Sequence, residues 1–394
     1  MAKLTLRDLD LKDKRVLLRV DFNVPLDENL RITDDFRIKA SIPTINYLLG
    51  NGAKKIILMS HLGRPEGKVV ENLRLNPVAK RLEELLGIKV KKLDDCVGEF
   101  VKSEIERAEE RVILLENLRF HPEEEKNDPL FSRKLAELGD LFVNDAFGTS
   151  HRAHASTAGV THYLKSAAGF LLEKEIKYLG EAIENPQRPF VVILGGAKVS
   201  DKIGVMENLL PKAEAILIGG AMAYTFLKAK DINIGNSKYE KDKLEIAQKI
   251  LEKAENLKRR FLLPLDHMIA EKVEALAKTM NTNDDHIPEG WLGVDIGRRT
   301  IGEFKKILRD ARTVVWNGPL GIFEIEPFSR GTKEIALYLA GLKAITVIGG
   351  GDTAAAVAKF GVEDKMTHVS TGGGASLEYM EGRILPGIAA LTDK

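Results

Sequence analysis

Short apolar runs alternate with amphipathic stretches from one end of the chain to the other. Arg15–Val20, Lys55–Ser60, Val112–Glu116 and Leu141–Asn144 read as buried strands. Between the first two, Ile38, Ile42, Ile45 and Leu48 recur at helical spacing, which predicts a helix over Phe36–Leu49. Pro77–Leu86 predicts another, because proline suits a first turn and Gly87 follows the last one. Phe131–Leu138, ended by Gly139, predicts a third. Strands separated by helices of this length predict a parallel sheet covered on both faces.

Leu172, Ile176, Leu179 and Ile183 form the apolar stripe of a charged helix over Leu171–Glu184, which Pro186 and Pro189 terminate. Beyond it the pattern repeats. Phe190–Leu194, Ala215–Ile218, Phe261–Pro264, Thr313–Trp316, Ile345–Gly349 and His368–Ser370 read as strands, Ser237–Lys258 and Phe328–Leu339 as helices. Asn281–Gly290 is polar and turn-rich and predicts a loop. The expected fold class is α/β, in two domains. Each has a parallel sheet flanked by helices, and the two face each other across a cleft. The expected boundaries are 1–170 for the first domain, 171–185 for a connecting hinge helix and 186–385 for the second domain.

The length of 394 residues suits two domains of this kind. Lys and Arg number 59 against 58 Asp and Glu, so no global field asks for nucleic acid or an anionic membrane. A single cysteine, Cys96, excludes an internal disulfide and a multi-cysteine metal site. The N-terminus has no apolar signal core, and no apolar run approaches the roughly 20 residues that span a bilayer. A cytoplasmic monomer is the expectation.

Four glycine-rich turns follow predicted strands: Gly195–Lys198, Gly219–Ala221, Gly349–Thr353 and Thr371–Ser376. Ligands of open α/β sheets bind at that edge, and glycine lets backbone N–H groups approach a phosphate. Lys198 and Lys202 stand four residues apart, so a helix starting there would put both on one face. Asp352 could hold Mg²⁺, cap a helix over Thr353–Lys359, or do both. Asn317–Glu324 begins just after a strand, and Glu324 could meet ribose hydroxyls. The P-loop, the dinucleotide fingerprint and the protein-kinase motif set are all absent.

The first half carries basic groups instead. Arg19, Asp21 and Asn23 would share one face of a strand end. A buried salt-bridge network is the structural alternative for Arg19. His61, Arg64, Arg119, His151, Arg152 and His154 follow predicted strands, and Arg37 sits in the first turn of a predicted helix. If the sheet is parallel these ends converge, which suits a small, multiply charged anion.

Arg19–Pro25, Ser60–Pro65, Glu116–Phe120, Asp145–Ser156, Gly195–Lys202, Trp316–Glu324, Gly349–Thr353 and Thr371–Glu378, in that order, resemble the phosphoglycerate kinase family. The resemblance implies reversible phosphoryl transfer from 1,3-bisphosphoglycerate to ADP, giving 3-phosphoglycerate and ATP with Mg²⁺. It implies that Asp21, Asn23, Arg37, His61, Leu62, Gly63, Arg64, Arg119 and Arg152 surround the glycerate ligand. It implies that Lys202, Gly219, Gly220, Asn317, Glu324, Gly350, Gly351, Asp352 and Thr353 line the nucleotide, with Asp352 on Mg²⁺. Transfer itself would fall to Arg37, Lys198 and the N–H groups of Gly372, Gly373 and Gly374. Residues 386–394 would pack back on the first domain. Leu320 stands where the family often has methionine, Phe36 where threonine is common before the arginine, and Leu265–His267 departs from the usual segment. None of these removes a charged contact.

Overall fold

The computed structural model describes residues 3–394. The chain forms two compact units. One comprises the residues up to Ile176 together with Ile384–Lys394; the other is Lys177–Arg383.

The first unit is built on strands β1 (Arg15–Arg19), β2 (Lys55–Met59), β3 (Val90–Lys92), β4 (Val112–Leu114), β5 (Leu141–Asn144) and β6 (Ser166–Ala168). They form one parallel sheet in the order β3-β4-β2-β1-β5-β6. The central strands are buried on both faces, as their unbroken apolar runs predict. Val16 and Leu18 of β1 pack with Ile38, Ile45 and Leu48 of the helix Phe36–Gly50 and with Val78 and Leu82 of Asn76–Leu86. Leu17 points to the opposite face, where it meets Gly139 so closely that an added Cβ would stand 3.0 Å from its own. The last residues belong to this unit. Gly387 donates its N–H to Ser150 O (2.8 Å) and accepts from Asn144 Nδ2 (2.9 Å), while Ser166 N donates to Thr392 Oγ1 (3.0 Å).

The second unit contains β7 (Phe190–Leu194), β8 (Ala215–Ile218), β9 (Arg260–Leu262), β10 (His267–Ala270), β11 (Thr279–Asn281), β12 (Leu292–Ile296), β13 (Thr313–Asn317), β14 (Ile345–Gly349) and β15 (His368–Val369). Six form a parallel sheet in the order β15-β14-β13-β7-β8-β9; β10, β11 and β12 form a separate antiparallel sheet. Trp316, fully buried on β13, anchors the core with Phe304 and Leu320.

The helix Phe170–Glu184 begins in one unit and ends in the other. Its first turn is held by Asp145, whose Oδ1 accepts from Leu171 N (2.8 Å) and Leu172 N (3.2 Å). Burial pushes the Asp145 carboxyl up to about 6 despite those donors.

Two sequence expectations need correcting here. The helix expected over Ser237–Lys258 is Leu244–Asn256, after a single turn at Lys241–Lys243. The preceding residues are held elsewhere: Ser237 Oγ accepts from Gly293 N, and Glu240 accepts from both Ser200 N and Ser200 Oγ. The helix expected from Thr353 starts at Gly351, with Gly350 at its cap. Asp352 therefore lies in the first turn and not at the cap.

Candidate active site residues

The basic residues of the first unit gather at the carboxyl ends of β1, β2, β4 and β5. Arg19 is almost wholly buried. It donates from Nε to Ser156 Oγ (2.8 Å), from Nη1 to Val20 O, and from Nη2 toward His61 Nδ1 (3.3 Å). Ser156 in turn donates to Glu124 Oε1 (2.5 Å), and Ser156 N donates to Glu124 Oε2 (3.0 Å). Arg37 pairs with Asp21 at 2.8 Å. Asn23 Oδ1 accepts from Gly63 N (2.8 Å), and Arg119 Nη1 donates to Gly63 O (2.9 Å), so the turn at Gly63 is held from both sides. Leu62 is buried, with its N–H on Asn117 Oδ1 (3.2 Å). Arg152 Nε donates to His151 Nε2 (3.1 Å), and Arg64 is exposed.

The field at this edge is strongly positive. Burial first, then Arg19, Arg119, Arg37 and His154, drive His61 well below the ordinary histidine range. His154 falls to about 3, again from burial and then from Arg19, Arg119 and Arg152. Both imidazoles are neutral at physiological pH. Asp21, Glu124 and Glu125 are the acids in contact with this group, leaving the guanidinium groups in excess. An oxyanion ligand would relieve that excess.

At the carboxyl end of the second unit's large sheet lies a cavity of about 270 Å³. Its walls include Gly195, Gly196, Lys198, Asp201, Lys202, Asn317, Gly318, Gly350, Gly351, Asp352, Thr353, Gly373 and Gly374. Lys198 and Lys202 both face it, although no common helix carries them. Lys198 lies in the turn, and the helix proper starts at Ile203. Lys202 donates from Nζ to Asn317 Oδ1. Burial lowers its ammonium to about 8, against the opposing pull of Asp201, Asp352 and Glu381. Asn317 Nδ2 is buried without a hydrogen-bond partner. Thr353 is also buried and accepts from Gly318 N through Oγ1 (2.7 Å), tying the helix to the loop after β13.

The glycines act differently from the expectation. Gly195 N–H donates to Asn317 O (3.0 Å), Gly196 to Pro319 O (2.9 Å), Gly219 to Leu194 O (2.9 Å) and Gly220 to Leu320 O (2.9 Å). Those four donors are used in packing one loop on the next, and are not free for a phosphate. A Cβ on Gly195 would stand 2.1 Å from Pro319 O, and one on Gly318 would stand 2.2 Å from Gly195 O. Gly219 and Gly220 stand outside the cavity wall; a Cβ on either would meet Leu320 or Gly196 at 2.5 Å. Gly372 N–H is likewise turned inward, onto Ser370 Oγ (3.1 Å). Glu324 is exposed and lies outside the cavity wall, and its carbonyl accepts from Lys359 Nζ (3.1 Å).

Each α/β unit thus carries one candidate anion site at the carboxyl end of its parallel sheet. A family model described as phosphoglycerate kinase matches residues 6–383. This chain belongs to the phosphoglycerate kinase family. It is 56% identical over 395 residues to the phosphoglycerate kinase of Pelotomaculum thermopropionicum, covering 100% of both chains. Against that of Thermosipho africanus it is 56% identical, covering 100% of this chain and 99% of the other. Among solved structures it is similar to the phosphoglycerate kinase of Coxiella burnetii, at 43% identity and a TM-score of 0.89, with 98% of each chain covered. For that of Pyrococcus horikoshii the identity is 35% and the TM-score 0.85, again over 98% of each chain.

The second unit's cavity fits the nucleotide and magnesium that this family implies. The first N–H groups of the nine-residue helix Gly351–Lys359 have no intrahelical acceptors and favour negative charge. Lys202 and the unpartnered Asn317 amide lie beside them. Asp352 adds an exposed carboxylate, a donor magnesium takes when phosphates supply its other ligands. Sequence reading missed Glu124 and Ser156. Glu124 lies in the run Glu123–Glu125, which carries no sign that its middle member is buried.

Proposed function

We propose that this chain binds 3-phosphoglycerate on its first unit and MgATP on its second, and that the second unit's cavity receives the nucleotide phosphates. The chain is a phosphotransferase of the phosphoglycerate kinase family. It moves a phosphoryl group reversibly between 1,3-bisphosphoglycerate and ADP, forming 3-phosphoglycerate and ATP. The observation that carries the assignment of ligands to units is the contrast in donors. Converging guanidinium groups suit a compact carboxylate and phosphate, while a helix N-terminus with two lysines suits a phosphate chain.

In this reading Asp21 and Asn23 meet the hydroxyl side of the glycerate, while Arg64, Arg119 and Arg152 meet its charged ends. Lys202, Asp352 and the first turn of Gly351–Lys359 hold the nucleotide phosphates, and Glu324 meets the ribose. Magnesium held by Asp352 would screen the charge between phosphates. Arg37 and Lys198 neutralise the charge that spreads over the transferring group, assisted by Gly373 and Gly374. The acceptor is an already ionised oxygen, so no general base is needed. Transfer requires the two units to approach, with Phe170–Glu184 as the hinge, and closure keeps water from the reacting group. One chain carries both ligand sets, so a monomer suffices, and the cytoplasm is its proposed compartment. Among the described residues no helix is long and apolar enough to cross a membrane.

Coupled turnover with 3-phosphoglycerate and MgATP tests the proposal, with other small acids as controls. Selective turnover of 3-phosphoglycerate is expected. Equal turnover of the controls, or none with any acid, would reject it.

A further inference from the structure

We propose that Arg19 is a positioning residue that fixes His61 in the tautomer with its proton on Nε2, through a buried relay running Glu124–Ser156–Arg19–His61. The inference rests on the reading that the first unit holds the glycerate ligand.

The direction of each hydrogen bond follows from chemistry. A guanidinium has donors and no acceptor, so Arg19 Nε must donate to Ser156 Oγ at 2.8 Å. The Ser156 hydroxyl proton is then directed to Glu124 Oε1, at 2.5 Å. Glu124 is fully buried, and its other oxygen accepts from Ser156 N. This holds the Arg19 plane. At its far end Nη2 lies 3.3 Å from His61 Nδ1 and can only donate. His61 Nδ1 must therefore be the bare nitrogen, which leaves the ring proton on Nε2. Among the described residues no side chain or carbonyl of the first unit accepts from His61 Nε2, and that atom is not among the fully buried unpaired ones. The proton is thus displayed at the open side of the cluster.

The surroundings keep the ring neutral. Arg19, Arg119, Arg37 and His154 all oppose a second proton, and burial adds to them. His61 therefore offers an oxyanion or hydroxyl oxygen one neutral N–H donor whose strength does not vary across physiological pH. A free histidine would change charge there.

Nitrogen-15 NMR of the histidine rings tests this in the unaltered protein. The expected His61 spectrum has a bare Nδ1 and a protonated Nε2, constant from about pH 5 to 8, with the Nε2 signal moving on addition of 3-phosphoglycerate. A protonated Nδ1, an averaged tautomer or an imidazolium would overturn the relay. If the tautomer is as expected but saturating 3-phosphoglycerate moves no His61 signal, the ligand assignment fails instead. Arg19→Met should give an averaged tautomer and raise KM for 3-phosphoglycerate about 10-fold, with KM for MgATP unchanged. Ser156→Ala should do the same more weakly. If Arg19→Met leaves the tautomer fixed, the relay is rejected; if that variant does not fold, the unaltered spectrum and Ser156→Ala still decide.

Discussion

In the proposed reading the two units meet the same problem, holding a multiply charged anion, with opposite means. In the first unit the charge is on side chains, and other side chains hold those in place. Arg19 is fixed by Ser156 and Glu124, and Arg37 by Asp21. In the second unit the backbone sets the shape. The loops after β7, β8 and β13 pack so closely that glycine is required where they touch, and their N–H groups are used up in that contact. Positive charge enters through Lys198, Lys202 and the first turn of one helix. Side-chain sites should therefore fail by losing affinity, and backbone sites by losing the fold.

Lys198→Ala puts that contrast to its hardest test. Lys198 is exposed and supports no packing, so its loss should lower turnover by roughly 10²–10³-fold and leave the melting temperature unchanged. Turnover near that of the unaltered enzyme would remove it from the transfer step. Gly318→Ala should behave in the opposite way. Its φ of 96° and its approach to Gly195 O should cost about 3 kcal/mol of stability, visible in urea unfolding. An unchanged midpoint would mean the loops can separate freely.

Much of this was legible in advance. Every central strand announces itself as an apolar run, because burial on both faces removes polar alternation, and the charged site residues follow those runs. The edge strands β3 and β6 have three residues each, too few to display a period. Strand β11, Thr-Met-Asn, is exposed at every position and carries no apolar signal. Within the site, residue types pointed to anions, but the glycine turns were misread in part. A Gly-Gly pair looks the same whether its N–H groups face a ligand or a neighbouring loop; only the partners at Asn317, Pro319 and Leu320 decide. Glu124 was hidden between two acids that are not buried.

Two smaller effects sharpen the comparison. Arg119→Ala should raise KM for 3-phosphoglycerate about 30-fold, since a charge-assisted contact is worth about 2 kcal/mol, and leave KM for MgATP alone. A defect confined to the nucleotide would reverse the assignment of ligands to units. Lys202 offers a pH signature. Its ammonium titrates at about 8 in the folded chain, below its value of 10.5 when unfolded. The burial penalty is therefore fully present below about pH 8 and is relieved as pH rises toward 10.5. Nucleotide phosphates favour the charged form, so binding should take up a proton above about pH 8 and weaken about 10-fold from pH 7 to pH 9. Calorimetry in buffers of different ionisation enthalpy would show that uptake; a flat profile would exclude Lys202 from phosphate contact.

Hydrogen exchange with each ligand alone tests the division of labour most directly. With 3-phosphoglycerate, new protection should be confined to the first unit, around His61–Arg64, Arg119 and Arg152. With MgADP it should appear around Lys198–Lys202, Asn317 and Gly350–Thr353. Protection by MgADP at the arginine cluster, or by 3-phosphoglycerate at Gly350–Thr353, would contradict the account.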